Sequence, residues 1–164
     1  GQPPHKTRYD SATDRQRLDM LSLAAKTLKP EYNVVVSDIE IRRGGKSYTV
    51  DTVAELLQAA GSVSVYCGTD MFLTLEQWHR FEELLRMAQI AYMCRREDLR
   101  LAATAREKAA YFRKVYGADI VEIPDVPVEA SSSEIRAMVR AGEDVSTLLP
   151  AAVAGYIEMQ GLYR

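Results

Sequence analysis

The stretch richest in reactive side chains is residues 130–136, which read A-S-S-S-E-I-R. Three consecutive hydroxyls stand where a helix is predicted to begin, and Arg136 follows one turn later. The first N–H groups of a helix lack a partner within it and carry the positive end of its dipole. Hydroxyls and an arginine at that place can therefore bind phosphate. Ser131 and Glu134 also have the spacing of a capping box, which needs no ligand. Taken alone, the stretch favours the capping box.

More candidate ligand contacts follow an apolar run that ends at Cys67. Gly68 would let a ligand approach the backbone, and the Asp70 carboxylate could accept from a ribose hydroxyl or cap the next helix. Trp78, the only tryptophan, is either a core residue or a ring that stacks on a heteroaromatic ligand. His79 beside it is predicted to lie on the surface of a helix. The sequence leaves these alternatives open.

Hydroxyls also precede a second predicted helix, at Ser47, Tyr48 and Thr49. Thr49 or Thr52 could cap that helix, and Thr52 has capping-box spacing to Glu55. Helix capping is the default interpretation of these hydroxyls.

Cationic side chains stand at two further places. Arg95 and Arg96 end a predicted strand, and His5 and Lys6 lie beside two prolines in an N-terminal loop. Each pair is either a phosphate contact or an exposed polar segment.

Alternating strands and helices must position these groups. This alternation predicts a parallel α/β sheet with helices on both faces, and ligands of such sheets bind beyond the carboxyl ends of the strands. The predicted strands are residues 34–41, 63–67, 90–94 and 119–123. The segments expected on one rim are residues 42–49, 68–78, 95–98 and 124–136. Together they offer phosphate, ribose and base contacts, with room for two ligands.

Predicted helices stand near both ends of the chain. Asp10 or Ser11 could cap the first, which ends at Pro30, and Gly61 stops the helix after Thr49. The residues expected to face inward are Leu18, Leu21, Ala25 and Leu28 in the first helix and Val153, Tyr156 and Ile157 in the last.

Composition places the chain among globular proteins. Its 164 residues are 47% hydrophobic and 27% charged, with a net charge of −2, which fits one domain with a proper core. The lack of a run of one sign argues against nucleic-acid binding by bulk charge, and no apolar segment approaches the ~20 residues of a membrane span. Cys67 and Cys94 are predicted to be reduced and buried in a cytoplasmic protein. With two histidines, a multi-histidine metal site is excluded.

The order and spacing of these segments resemble one known family. The matching segments are S-Y-T-V-D-T at 47–52, C-G-T-D at 67–70, Trp78, Arg95 with Arg96, S-S-S-E-I-R at 131–136 and the closing residues 148–163. Over residues 1–163 the chain is similar to the bacterial nicotinate-nucleotide adenylyltransferases, of the nucleotidyltransferase α/β phosphodiesterase superfamily.

The resemblance implies adenylyl transfer from ATP to nicotinate mononucleotide, giving deamido-NAD and pyrophosphate in NAD biosynthesis, with Mg²⁺ accompanying ATP. For the complete protein we expect in-line attack of the mononucleotide phosphate on the α-phosphorus. No general base is needed, because that phosphate is already ionised, and no metal ligand is expected from this chain. Nicotinate mononucleotide would meet Ser47, Tyr48, Thr49 and Trp78. ATP would meet His5, Gly68, Asp70, Arg95, Ser131, Ser132, Ser133, Ile135 and Arg136. Catalysis would rest on Arg136, Ser131 and Lys6, and Thr49 would favour the acid over the amide mononucleotide.

The chain departs from the family pattern in two places. The usual I-S-S-T-x-I-R is changed at Ala130 and Ser133, although Ser133 keeps a hydroxyl. The signature G-G-T-F-D-P-x-H-x-G-H, whose histidines stabilise the transferring phosphate, would lie upstream of Gly1 and supply strands to the centre of the sheet. We therefore expect residues 1–164 to be a single, N-terminally incomplete nucleotidyltransferase domain of a longer protein, inactive by itself.

Two alternative functions remain. One is a related adenylyltransferase of the phosphopantetheine type, against which residues 47–52 and Trp78 argue. The other is a non-catalytic nucleotide-binding domain that lacks the catalytic histidines. ATP and nicotinate mononucleotide are the expected partners, with no nucleic acid and no membrane, and a homo-oligomer is left open.

Overall fold

The structure is a computed structural model that describes residues 12–94, 99–124 and 131–164. The chain forms two compact units. One unit is Ser47–Val128, and the other combines Gly1–Lys46 with Glu129–Arg164.

A three-stranded parallel sheet with strand order β1-β2-β3 is the centre of the unit Ser47–Val128. The strands are β1 (Ser64–Gly68), β2 (Gln89–Cys94) and β3 (Ile120–Pro124). Val65 lies opposite Ile90, and Ile90 lies opposite Ile120, so the three strands run in register with their carboxyl ends at one edge. The predicted parallel α/β sheet is confirmed.

Four helices and one short 3-10 turn surround this sheet. They are α3 (Thr49–Ala60), α4 (Thr69–Leu73), the turn Leu75–Gln77, α5 (Phe81–Met87) and α6 (Leu99–Tyr116). The core between them and the sheet is aromatic. Tyr92 of β2 stacks on Phe72 at 4.3 Å between ring centroids, and Phe112 of α6 meets Phe72 edge-on at 5.7 Å. All three side chains are fully buried, so β2 is anchored to both α4 and α6.

The opposite face of the sheet is buried at its centre and open at its margins. Ala91 of β2 is 2% exposed, whereas Tyr66, Met93 and Val121 around it are 67%, 45% and 38% exposed. Successive residues of a strand point to opposite faces, so these four side chains share one face.

The second unit is helical in its described residues. Its elements are α1 (Asp14–Ala25), a 3-10 turn (Pro30–Tyr32), α2 (Ile39–Arg43), α7 (Ser132–Ala141) and α8 (Ala151–Met159). A small apolar cluster that includes Val153 and Ile157 joins α1 to α8. The Tyr156 hydroxyl donates to the Asp19 carboxylate at 3.0 Å, which also joins the two helices. Val153 and Ile157 therefore face inward as predicted, and Tyr156 is half-buried.

The predicted strand at residues 34–41 is wrong. Residues 33–38 have no regular structure, and α2 begins at Ile39. Val34 and Val35 are 51% and 80% exposed. A run of β-branched residues becomes a strand only where a neighbouring strand accepts its hydrogen bonds. The sheet of the described residues consists of β1, β2 and β3, so this run has no such neighbour there.

The predicted burial pattern of α1 also needs correction. Leu21 is 57% exposed, and Leu28 lies beyond the helix, which ends at Ala25. Met20 and Leu23 pack on the apolar cluster instead, so the buried stripe is rotated from the predicted one. Thr13 caps α1 through a capping box with Gln16. The predicted capping residues, Asp10 and Ser11, lie outside the described residues.

The start of α3 differs from prediction, while its end does not. Tyr48 occupies the N-cap without a side-chain capping bond, and Thr49 is the first helical residue. The predicted capping box of Thr52 with Glu55 is therefore wrong, because both residues lie inside the helix. Gly61 follows Ala60 with φ of 69°, a left-handed conformation that favours glycine and ends the helix as expected.

Candidate functional site

The first turn of α7 contains the predicted capping box. The Glu134 N–H donates to Ser131 Oγ at 3.1 Å, and the Ser131 N–H donates to the Glu134 carboxylate at 2.8 Å. The N–H groups of Ser132 and Ser133 stand at the first two helical positions, where a helix offers no internal acceptor. All four side chains are exposed. The helix start thus has its cap and keeps two backbone donors for a ligand.

Arg136 lies beside these donors. Its Nη2 is 3.5 Å from Ser133 Oγ, and its guanidinium lies over the Tyr163 ring at 6.0 Å from the centroid. The side chain therefore reaches back toward the N-terminus of its own helix, as the tilt of helical side chains favours. A guanidinium and two backbone N–H groups can together bind phosphate oxygens.

Glu134 reduces the positive field at this helix start. Its carboxylate belongs to the capping box, so a phosphate at the same turn would lie near a negative charge. Arg136 supplies the charge that offsets this carboxylate. The site therefore depends on the arginine more than a helix start without an acidic residue would.

A second set of predicted residues lies at the carboxyl end of β1. Gly68 ends the strand and forms the N-cap of α4 with φ of −73°, which any residue adopts. Apart from its chain neighbours, no atom of the described residues lies within 4 Å of a Cβ added at Gly68, so these residues leave space for a ligand above this backbone. Asp70 is exposed at the second position of α4. Because Gly68 takes the N-cap position, the alternative role of Asp70 as the cap is wrong.

Thr69 holds this segment to the neighbouring strand, which sequence reasoning missed. It is 5% exposed, and its hydroxyl donates to the Met93 carbonyl oxygen at 2.6 Å. Met93 lies opposite Gly68 in the sheet, so the bond ties the ends of β1 and β2 together. The available signal was a hydroxyl directly after an apolar strand, between a glycine and an aspartate.

The third set of predicted residues lies at the start of α3. The N–H groups of Asp51 and Thr52 both donate to the Tyr48 carbonyl, at 3.1 and 3.3 Å. The N–H groups of Thr49 and Val50, two residues earlier, have no acceptor within the helix. Ser47 Oγ is buried and has no hydrogen-bond partner in the part of the chain that the structure describes. These two N–H groups are therefore candidate donors to an anionic ligand, such as a carboxylate.

Trp78 lies near the start of α3, because the next residue, His79, contacts Tyr48 there. It follows the 3-10 turn Leu75–Gln77, is half-buried, and packs on the same core cluster as Tyr48. The His79 ring stacks on the Tyr48 ring at 4.3 Å, with 35° between the planes. His79 is exposed as predicted, but it lies in a turn before α5 and not in a helix. Its contact with Tyr48 was not foreseen.

The predicted site residues within the described chain are divided between the two units. Tyr48, Thr49, Trp78, Gly68 and Asp70 share the unit Ser47–Val128. Residues 131–136 belong to the other unit. His5, Lys6 and Arg95 lie outside the described residues.

The described residues offer neither a reactive thiol nor a metal cluster. Burial raises the pKa of Cys67 to about 11, so its thiol stays protonated at neutral pH. The side chain of Cys94 lies outside the description. Within residues 12–94, 99–124 and 131–164, no group of three His, Cys, Asp or Glu side chains could hold a metal ion. No helix there is long and apolar enough to cross a membrane.

The chain is similar to several named bacterial proteins, although no family model matches it. A Streptococcus mutans protein named "Probable nicotinate-nucleotide adenylyltransferase" is 34% identical over 164 residues, which cover 99% of this chain and 70% of the relative. An Aeromonas salmonicida protein of the same name is 33% identical over 174 residues, covering 99% of this chain and 79% of the relative.

The fold also matches solved structures. Plasmodium falciparum nicotinic acid mononucleotide adenylyltransferase, solved in complexes with APC and with NaAD, gives TM-scores of 0.72 and 0.71. Each match has 15% sequence identity and covers 95% of this chain and 78% of the other. Identity this low supports the fold alone.

Proposed function

The chain belongs to the nicotinate-nucleotide adenylyltransferase family and is a nucleotidyltransferase, and from this premise we propose that it joins nicotinate mononucleotide to the adenylyl group of ATP. The products are deamido-NAD and pyrophosphate, in cytoplasmic NAD biosynthesis. The observation that carries the proposal is the similarity to proteins of this name along nearly the whole chain. The geometry supports it by supplying two helix starts with backbone donors and an aromatic side chain in the turn that contacts one of them.

We assign the ATP phosphates to the start of α7. The N–H groups of Ser132 and Ser133 and the Arg136 guanidinium are the donors there, and the Ser131 hydroxyl can still donate its proton while its oxygen accepts the Glu134 N–H. Gly68 and Asp70 are assigned to the ATP ribose, because open space above a glycine and an exposed carboxylate suit a sugar with two hydroxyls.

We assign nicotinate mononucleotide to the start of α3. The N–H groups of Thr49 and Val50, which have no acceptor within the helix, suit the nicotinate carboxylate, and the Trp78 ring can stack on the pyridine ring. The amide mononucleotide lacks the negative charge that a helix start favours. This arrangement therefore prefers the acid.

The residues act by alignment and by stabilising charge. The mononucleotide phosphate is already ionised and attacks the α-phosphorus in line, so no side chain needs to remove a proton. Arg136 and the α7 N–H groups stabilise charge on the phosphate oxygens. Mg²⁺ enters as part of the substrate MgATP, which suits an ion that commonly binds through phosphates and water with few protein carboxylates.

A substrate panel tests the proposal. The protein in its full natural length is incubated with MgATP and one of three acceptors: nicotinate mononucleotide, nicotinamide mononucleotide or phosphopantetheine. We expect pyrophosphate release and a dinucleotide product with nicotinate mononucleotide, and less of both with the amide. Preferred turnover of phosphopantetheine would replace the proposal with that related activity. ATP binding without turnover of any acceptor would support a nucleotide-binding module.

A further inference from the structure

The turn that carries Trp78 contacts the start of α3 at two points. The His79 ring stacks on the ring of Tyr48, the N-cap residue. Arg80 Nη1 lies 3.2 Å from Oδ1 of Asp51, the third residue of the helix. Both contacts thus fall on the first turn of α3, beside the N–H groups of Thr49 and Val50, which have no acceptor within the helix.

Arg80 is held from a second side as well. Its Nε and Nη2 lie 2.8 and 2.6 Å from the two carboxylate oxygens of Glu83, in the first turn of α5. Its backbone is left-handed, with φ of 54° and ψ of 43°. A non-glycine residue keeps that conformation only where its surroundings hold it in place. Arg80 therefore fixes the path of the chain between Trp78 and α5.

We propose that these contacts form a clasp that sets the position of Trp78 relative to the start of α3, with His79 and Arg80 as positioning residues. The clasp is defined as the Tyr48–His79 stack and the Asp51–Arg80 ion pair. The clasp is expected to shape the mononucleotide pocket without changing ATP binding, and this consequence rests on the proposed function. Its geometry rests on the contacts themselves.

The position of Trp78 depends on both contacts, because each is weak by itself. The guanidinium of Arg80 is half exposed, and an exposed ion pair changes an equilibrium by a factor of only about two to five. A ring stack adds a second weak contact at the adjacent residue. Because His79 and Arg80 directly follow Trp78, losing both contacts detaches this turn from the start of α3, while the indole keeps its packing on the core cluster.

Fluorescence of Trp78, the one tryptophan among residues 1–164, tests the clasp without any substrate. The variants are His79→Ala, Arg80→Gln and the double change. The matched controls are His79→Phe, which keeps a ring for Tyr48, and Arg86→Gln, which removes an exposed α5 pair with Glu82. We expect acrylamide to quench Trp78 more strongly in the three clasp variants, most in the double variant, and as in the wild type in both controls.

Steady-state kinetics test the functional consequence. Each single clasp variant should raise the KM for nicotinate mononucleotide about two- to fivefold, with the KM for ATP and kcat nearly unchanged. The double variant should raise it further, and His79→Phe should restore it. A purely structural role would instead lower the melting temperature and change the KM values of both substrates together.

The outcomes separate the two proposals. Quenching and mononucleotide KM that stay at wild-type values in the double variant would overturn the clasp. Equal changes for ATP and the mononucleotide would overturn its assignment to the mononucleotide pocket. If the wild-type protein turned over no mononucleotide, the proposed function would fail and the pocket assignment with it, while the quenching result would still decide whether the clasp positions Trp78.

Discussion

Ser131 shows how one side chain can serve both structure and binding. Its oxygen accepts the Glu134 N–H, and its own proton remains available to a phosphate oxygen. The capping box defines where α7 begins, and that beginning supplies the N–H groups of Ser132 and Ser133. Capping and phosphate binding at this helix are therefore compatible.

Arg136 is the residue on which the phosphate assignment depends most. We expect Arg136→Ala to lower kcat/KM by about 100-fold, the size of effect found when a donor to a developing negative charge is lost. The kcat/KM of Arg136→Lys should lie between those of the wild type and Arg136→Ala, since a lysine keeps the charge but loses the planar fork. Steady-state kinetics with MgATP as the varied substrate measure this.

The fold provides a control for the Arg136 variants. The guanidinium takes no part in the capping box, so far-ultraviolet circular dichroism and the melting temperature should stay close to those of the wild type. Near-normal turnover of a folded Arg136→Ala protein would remove this residue from the mechanism.

Sequence reasoning succeeded at single residues where the signal was local. The Ser131–Glu134 capping box was predicted because both partners lie within one helical turn. The contacts of Thr69 with Met93 and of His79 with Tyr48 were missed because each joins residues that are distant in sequence. A pattern along the chain does not contain such pairings.

At the scale of secondary structure, pairing between distant segments also decides which predicted strands form. The strands β1, β2 and β3 were placed to within a residue or two, since each apolar run also finds a parallel neighbour. The run at Val34 and Val35 has equal β propensity but no neighbouring strand in the described chain, and it lies exposed. Propensity alone did not decide which runs became strands.

The junction of β1 and α4 should depend on the Thr69 hydroxyl. We expect Thr69→Val to lower the free energy of unfolding by about 1 kcal/mol, because it removes the bond to Met93 at nearly constant volume. The ATP KM should rise with it, since Asp70 follows directly. Denaturant unfolding and kinetics check both effects, and Thr69→Ser should restore them. Wild-type stability in Thr69→Val would refute this role for the hydroxyl.

The contact between α6 and β3 should make stability depend on pH. Arg106 donates to both oxygens of Glu122, and this pairing, with a further bond from the Tyr92 hydroxyl, holds the pKa of Glu122 below its usual value. The folded state therefore binds this proton less readily than the unfolded state. The contribution of the Glu122 carboxylate to the free energy of unfolding is complete above the unfolded pKa of about 4.3. It is lost as pH falls through the folded pKa.

Glu122→Gln tests that dependence. At pH 7 the variant should be less stable than the wild type by about 1 kcal/mol, and the difference should shrink as the pH falls below about 4. Glu82→Gln is the matched control, because its 3.9 Å pair with Arg86 is exposed at both ends. A Glu122→Gln difference that is constant across this pH range would contradict the assignment.

At the scale of the whole molecule, the two compact units differ in how deeply they bury their apolar side chains. The largest fully buried side chains, Phe72, Tyr92 and Phe112 among them, all belong to the unit Ser47–Val128. The cluster of the other unit is smaller, and its members Val153, Ile157 and Leu162 are 6%, 5% and 9% exposed. More apolar surface removed from water implies a higher free energy of local opening.

Hydrogen exchange should resolve this difference. We expect the backbone amides of β2 to exchange more slowly than those of α1 and α8 by at least about tenfold, which corresponds to about 1.4 kcal/mol of opening free energy. Exchange followed by mass spectrometry at neutral pH measures it. Equal protection of the two units would mean that they open as one cooperative body.

Arg80 also bears on how the protein could be stabilised by engineering. Its left-handed backbone costs roughly 1–2 kcal/mol for a residue with a Cβ, so replacing it with glycine would be a natural first choice for raising the melting temperature. Glycine would also remove the guanidinium that joins Asp51 and Glu83. A stability screen would thus favour a substitution that an activity screen rejects. At position 80 the protein therefore keeps a strained backbone conformation together with the side chain that the mononucleotide pocket requires.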